Sequence, residues 1–372
     1  MTSVLNRAKN DSHVRIGFTH GDINGIGYEI IIKSLIDNQI NDLITPIVFG
    51  ISKVASYHRK TLGLKDFNFN LIKRVDAANP KRPNIINIYD KEVKIDLGTL
   101  TEIAGQMAFL SLKTAVSALD HGEIDAIVTA PINKKNIQSK DFKFPGHTEF
   151  FANHYNVHDY LMLMVSNTLR IGVITGHIPL RDVPDALNED LVMRKIRIMH
   201  DSLRRDFAIQ KPKIAILGLN PHAGDNGLLG NEEQDILIPV INKAQEENML
   251  VYGPYPSDGF FGSPNYKKFD GILAIYHDQG MIPFKTLAFE NGVNFTAGLP
   301  IVRTSPAHGT AFDIAGKDMA DPGSMRAAIY LACDIFRNRV EYDRLNANPL
   351  HPGQDPVPEA AEEEPLEENN ME

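Results

Sequence analysis

The chain has 372 residues, 43% hydrophobic and 23% charged, which suits a soluble globular enzyme larger than one average domain. Its formal net charge of −9 belongs to the C-terminal end: eight acids and no Lys or Arg follow residue 345, leaving 38 basic against 39 acidic residues in the body. That near-neutral body excludes the basic footprint of a nucleic-acid binder, and no run of about 18 apolar residues is present to span a membrane.

The first residues, Met1 to Arg7, lack the apolar core of a signal peptide, and the single cysteine, Cys333, excludes an internal disulfide. A reducing cytoplasm is the expected compartment. Residues 14–19 read as a first strand, followed by the glycine-rich turn Gly21-Asp-Ile-Asn-Gly-Ile-Gly27 and a helix to about residue 37. Such a turn either brings backbone N–H groups to an anion or is simply tight; its spacing is not the dinucleotide fingerprint. Strands are expected at 44–49 and 84–89, with a polar, uninformative stretch at 60–83 between them. Residues 101–119 predict an amphipathic helix with Ala104, Met107, Ala108, Leu112, Ala115 and Leu119 on one face, leading to a strand at 124–129. The alternation argues for a mixed, mostly parallel α/β sheet with helices on both faces.

His147 and Thr148 open a helix to about residue 155, with Thr148 as its expected N-cap and free N–H groups that favour an anion. Residues 161–165 and 169–175 look like an antiparallel hairpin. Helices are then expected at 188–203, 233–245 and 324–338, and buried strands at 213–219 and 271–276. The proline-punctuated acidic stretch 346–372 reads as a disordered solubilising tail.

Three histidines share one local grammar. His177, His222 and His277 each follow a hydrophobic strand in a Gly- or Pro-containing turn, where ligands collect in open α/β sheets. Together they fit a divalent metal with open coordination positions; singly, each fits a turn-capping imidazole. His147, at a helix start, suits substrate hydrogen bonding, and His308 is ambiguous beside Gly309. His13, His20, His58, His121, His154, His158, His200 and His351 lack the strand-end context and read as solvated or structural. Lys285, Asn294 and Arg303 follow His277 closely and supply a point charge, a neutral donor and a planar fork for phosphate or carboxylate.

With these residues in place the sequence resembles the 4-hydroxythreonine-4-phosphate dehydrogenase (PdxA) family of pyridoxine biosynthesis, from about Arg15 to Arg337. The resemblance rests on the glycine turn and on Thr129-Ala-Pro-Ile-Asn-Lys134, Pro145-Gly-His-Thr-Glu149, Leu219-Asn-Pro-His-Ala-Gly224, Tyr276-His-Asp-Gln-Gly280 and Gly298-Leu-Pro-Ile-Val-Arg-Thr304. Departures are Ile23-Asn24 and Tyr28 in the first motif, Thr175-Gly176 before His177, and Asp225-Asn226 after His222.

The resemblance implies a homodimer of two α/β/α domains, similar to isocitrate and isopropylmalate dehydrogenases, with the site in the interdomain cleft. The expected division is 1–140 plus 305–345 for the first domain and 141–304 for the second. It further implies a Zn, Mg or Co ion held by His177, His222 and His277 across the dimer interface. Substrate would meet His147, Thr148, Lys285, Asn294 and Arg303, and NAD or NADP would bind without the Rossmann fingerprint. The implied reaction oxidises 4-phosphooxy-L-threonine and decarboxylates it to 3-amino-2-oxopropyl phosphate. A paralogue acting on a 4-phospho-threonate or 4-phospho-erythronate is the alternative, and a metal hydrolase or a phospholigand sensor represents other classes. Asp258 and Asp278 are candidates to take the alcohol proton, or else to support the metal ligands.

Overall fold

In chain order the elements are β1 (Val14–Thr19), α1 (Gly27–Leu35), β2 (Ile44–Gly50), α2 (Ser52–Thr61), β3 (Asn70–Ile72), β4 (Asn84–Asn87), α3 (Glu102–Asp120) and β5 (Ala126–Thr129). They continue with α4 (His147–His154), β6 (Leu161–Val165), β7 (Arg170–Val173), α5 (Glu189–Arg205), β8 (Lys213–Leu217), α6 (Ile238–Glu246), β9 (Leu250–Tyr255) and β10 (Gly271–Ala274). The last are α7 (His277–Ala288), β11 (Val293–Ala297), β12 (Arg303–Pro306) and α8 (Gly323–Leu345). This computed structural model describes residues 13–348 except Phe289, so the acidic stretch expected as a tail lies, from residue 349 on, outside the described residues.

All twelve strands form one sheet in the order β3-β4-β2-β1-β5-β12-β11-β6-β7-β10-β8-β9. The first six are mutually parallel, as are β7-β10-β8-β9. Three antiparallel pairings, β12–β11, β11–β6 and β6–β7, join the two runs. β2 is buried along its whole length, as a parallel strand covered on both faces must be. Helix starts are set locally: Thr101 accepts from the Ala104 N–H and Asn188 from the Leu191 N–H, caps worth about 1 kcal/mol each. No described helix is long and apolar enough to cross a membrane.

One face of the sheet is covered end to end. There Ile16 and Phe18 of β1 pack with Ile30 of α1, Ile196 and Met199 of α5, and Ile329 of α8. The other face carries two separate clusters. Phe49 of β2 packs with Leu112 of α3 and Phe151 of α4 at one flank, and Val173 of β7 and Leu217 of β8 pack with Met281 and Phe284 of α7 at the other. Between these clusters, over β12, β11 and β6, the face stays open between the N-termini of α4 and α7.

Several sequence expectations need correction. His277 opens α7 and is not in a turn, and 271–276 shortens to β10. The helix expected at 233–245 begins as a π-helical turn, Glu233–Leu237, because Pro239 has no N–H to give to the carbonyl four residues back. The polar stretch 60–83 contains β3, and β9, β11 and β12 were not foreseen as strands.

The glycine turn is a packing junction. Gly21 has φ +67°, and a Cβ there would lie 2.2 Å from the Pro131 carbonyl oxygen. Asp22 N–H donates to that oxygen and Ile26 N–H to the Thr310 carbonyl, tying two loops that border the open face to β1. His20 does follow a strand end, contrary to its grouping above, yet it is fully buried and stacked on Tyr28 (5.0 Å), which stacks on His58 (5.2 Å).

Burial draws both imidazoles down to about 4, opposed by their hydrogen bonds to the Gly21 and Ile23 carbonyls, with His58 lowering His20 further. An unfolded histidine titrates near 6.5, so the stability these residues confer is full above that pH and lost as pH falls toward 4, at about 1.4 kcal/mol per unit for each. Denaturant midpoints measured from pH 7.5 to 4.5 should fall steeply in the wild type and more shallowly in His58→Gln. Equal slopes would remove the stack as the cause.

Candidate active site

Strand register places the floor of the open face. Arg303 of β12 pairs with Ile127 of β5, Asn294 of β11 pairs with Ser305, and Asn294 and Thr296 pair with Met164 and Met162 of β6. Side chains alternate along a strand, so Thr129, Arg303, Ser305, Asn294, Thr296, Met164 and Met162 all stand on this one face. Above them is a cleft of about 260 Å3, rimmed by His147, Thr148 and Glu149 from α4, His277 and Lys285 from α7, and His177, Lys134 and His308 from loops. Seven of the residues singled out in the sequence therefore converge: His147, Thr148, His177, His277, Lys285, Asn294 and Arg303.

Arg303 is the electrostatic centre. Its side chain is buried, with Nε and Nη2 donating to Thr129 Oγ1 (3.1 and 2.9 Å) and Nη2 donating to Ser305 Oγ (3.0 Å). Nη1 is buried without a hydrogen-bond partner among the described residues. Burial draws the guanidinium down to about 10, while Glu149 opposes that shift, so the charge persists at neutral pH. Burial first, then the charges of Arg303 and Lys134, hold the neighbouring His147 well below its ordinary range, which keeps this imidazole neutral. His147 Nε2, Asn294 Oδ1 and His308 Nε2 are likewise buried and unpartnered. Four idle polar atoms around one cleft mark a place where a polar ligand completes the hydrogen bonding.

Thr148 is not the N-cap that was expected. Gly146 takes that place with extended backbone, and Thr148 Oγ1 lies 3.4 Å from Thr296 Oγ1 at the cleft floor.

The histidine trio is gathered by topology but is not closed. Strands β7, β10 and β8 are neighbours, so His177, His277 and His222 follow parallel strands at one end of the sheet. The His177 and His277 rings are 5.3 Å apart. The Glu149 carboxylate is held below its usual range chiefly by His177, whose Nδ1 lies 3.9 Å from Oε1, at the long end for such a polar contact. His277 Nδ1 is paired with Asp278 Oδ1 at 2.7 Å, which leaves Nε2 as the free ligating atom.

His222 stands apart from this pair. It is exposed on the loop Pro221–Gly227 and does not line the cleft. Among the described residues no group of three or more His, Cys, Asp or Glu side chains is close enough to hold a metal. The loop is strained: His222, Ala223, Gly224, Asp225 and Asn226 have φ of 55°, 52°, 81°, 43° and 57°. Left-handed backbone costs roughly 1–2 kcal/mol for each non-glycine residue, and such strain persists where the surroundings hold it.

Asp258, on the one-turn helix Ser257–Phe261, and Asp278 lie outside the cleft, in a shallow groove with Phe261, Ile282 and Leu287. Sequence reasoning assigned no role to Glu149, Lys134, Thr129 or Ser305 in the cleft. Lys134, Thr129 and Glu149 stand inside motifs already quoted, which was the available signal. Ser305 had none, because its placement depends on the β11–β12 register.

Comparison with known proteins gives the family of the chain and solved structures of similar fold. Residues 42–332 match the family described as pyridoxal phosphate biosynthetic protein PdxA. A 4-hydroxythreonine-4-phosphate dehydrogenase of Bacteroides thetaiotaomicron is 50% identical over 341 residues, 91% of this chain and 93% of the relative. A protein of Oceanobacillus iheyensis, provisionally named D-threonate 4-phosphate dehydrogenase, is 38% identical over 86% of this chain and 97% of its own. The solved 4-hydroxythreonine-4-phosphate dehydrogenase of Klebsiella pneumoniae superposes with a TM-score of 0.75 at 36% identity, covering 88% of this chain and 98% of that one.

Because Arg303 is buried with an idle Nη1, Arg303→Met should hold or raise the melting temperature of the ligand-free protein. The stabilisation that inorganic phosphate confers on the wild type should disappear in the same variant. A drop of several degrees without ligand, or a surviving phosphate effect, would show that Arg303 is a structural cation only.

Proposed function

The chain belongs to the family of the pyridoxal phosphate biosynthetic protein PdxA, and on that premise we propose that it oxidises 4-phosphooxy-L-threonine with NAD(P)+. The carbon-bound hydrogen of the C3 alcohol leaves as hydride to the nicotinamide, and the hydroxyl proton leaves to solvent. The resulting β-keto acid loses CO2 and takes up a proton at C2, giving 3-amino-2-oxopropyl phosphate. The observation that carries this reading is the buried, half-paired Arg303 beside a neutral His147 in a cleft that also holds the neighbouring imidazoles of His177 and His277.

The chain's own residues bind and orient. Arg303 and Lys285 take anionic groups, with Asn294 and Thr148 as neutral partners at the floor. His147 offers its buried Nε2 to a substrate oxygen. His177 and His277 suit a divalent ion, Zn, Mg or Co, because both face the cleft and Asp278 fixes the His277 tautomer. When bound, such an ion lowers the pKa of the alcohol and stabilises negative charge developing on its oxygen. His222 completes the ligand set, and its exposed loop, with Leu228 78% and Leu229 42% exposed, supports a homodimer that shares ligands between subunits. Neither Asp258 nor Asp278 lines the cleft, so Asp278 orients His277 and does not take the alcohol proton.

The two parallel runs support a division into two α/β/α domains, with the chain returning to the first run at β12. A single buried cysteine fits a reducing cytoplasm. The relative provisionally named D-threonate 4-phosphate dehydrogenase motivates a second reading, oxidation of a 4-phospho-threonate or 4-phospho-erythronate, which carries a C2 hydroxyl in place of the amine. The Glu149 carboxylate in the cleft favours the first, since it attracts the substrate ammonium and offers a hydroxyl no charge attraction.

NAD(P)H absorbance with 4-phosphooxy-L-threonine and with 4-phospho-D-threonate decides between the substrates: the amino acid should give the higher kcat/KM. Chelation should abolish turnover and added Zn2+, Co2+ or Mg2+ should restore it, while acidification should release the ion as protons compete for the imidazoles. Undiminished turnover in a metal-stripped sample, or near wild-type rates in His222→Ala, would defeat the metal assignment.

A further inference from the structure

We infer that Glu233 is a positioning residue for His222, acting through Asn220; the inference rests on the metal reading above. The loop that carries His222 is one turn of left-handed backbone, with φ positive at every residue from 222 to 226. At its borders Ala223 N–H donates to the Asn220 carbonyl, Leu228 N–H to that of Asp225, and Leu229 N–H to that of Gly224. Four of these five residues are not glycine, and such strained backbone persists where its surroundings hold it.

Glu233 is what holds it. Its side chain is fully buried, and both oxygens are spent on Asn220, two residues before His222. Oε1 accepts from the Asn220 backbone N–H at 2.8 Å and Oε2 from Asn220 Nδ2 at 2.9 Å. Glu232 Oε2 accepts from the same Nδ2 at 2.7 Å. The carboxylate also lies close to Gly224 in the loop, where an added Cβ would come 2.7 Å from Oε2, and to Gly218 before it, where one would come 3.2 Å from Oε1. Glu233 is the first residue of the π-helical turn, whose Leu237 is buried in the main core, so the clamp stands on a rigid base. A buried carboxylate committed to one residue of a surface loop is a demanding arrangement. It is accounted for if the end of that loop must present an imidazole in a defined place. Ligands held this way lose affinity when their support is removed, even though the support never touches the ion.

The test uses the full chain in three forms, wild type, Glu233→Gln and Asn220→Ala, each freed of metal and titrated with Co2+ by calorimetry. In parallel, the histidine side chains are followed by NMR, with the His222 signal assigned from its loss in His222→Ala. Both variants should bind Co2+ about 10–100-fold more weakly, and the His222 signal should shift while those of buried His20 and His58 stay put. Co2+ affinity within about twofold of wild type, with an unmoved His222 signal, would overturn the inference. If the wild type itself takes up no Co2+, the metal reading fails on its own, and the His222 signal still decides whether Glu233 places that side chain. If Glu233→Gln loses the His20 and His58 signals and so fails to fold, Asn220→Ala, at a half-buried position, carries the test.

Discussion

A guanidinium buried at the centre of the sheet is the constraint on which the site depends. Arg303 is removed from water where the two parallel runs meet, and two hydroxyls, Thr129 and Ser305, stand in for part of its hydration. Hydroxyl dipoles do not neutralise a cation, and Nη1 has no hydrogen-bond partner among the described residues. Such a group is tolerable in an empty cleft and favourable only when an anion arrives, so stability is given up to keep the charge ready. The same charge helps to keep His147 neutral, so one buried cation sets the protonation state of its neighbour.

The sheet topology makes room for that charge. Two parallel runs, each covered by its own helices, are joined through three antiparallel pairings. On one face a single continuous core bridges the joint, which keeps the halves in register. On the other face the clusters stop short of each other. The gap is floored by side chains two residues apart on neighbouring strands, which stiffens the binding groups without any loop to position them.

Around that floor the histidines are carried on less rigid parts. His277 gains the order of a helix start and an aspartate partner, and His177 a carboxylate across the cleft. His222 sits on backbone that no short polymer of L-residues would adopt unaided. A buried glutamate far from the cleft and an imidazole on the surface are thus parts of one arrangement, linked by a single asparagine.

Much of this was legible in the residues, for a physical reason: hydrophobic period and glycine placement are local signals. They located six of the parallel strands, the 161–175 hairpin and the long helices; ordered motifs identified the family, and motifs together with strand-end placement singled out seven of the residues that meet in the cleft. Where local signals failed, tertiary forces decided. β11 and β12 became strands by pairing across the joint, and Ser305 joined the site only through that register. Glu149 and Lys134 look like ordinary surface charges until helix α4 and the loop after β5 close over the same face. His20 read as one more histidine, yet packing buried it in a stack. The sequence by itself determined which groups are available and which local shapes they favour. Which of them are buried, paired or left waiting for a ligand was decided by the tertiary structure, because desolvation and strand register depend on neighbours that lie far away along the chain.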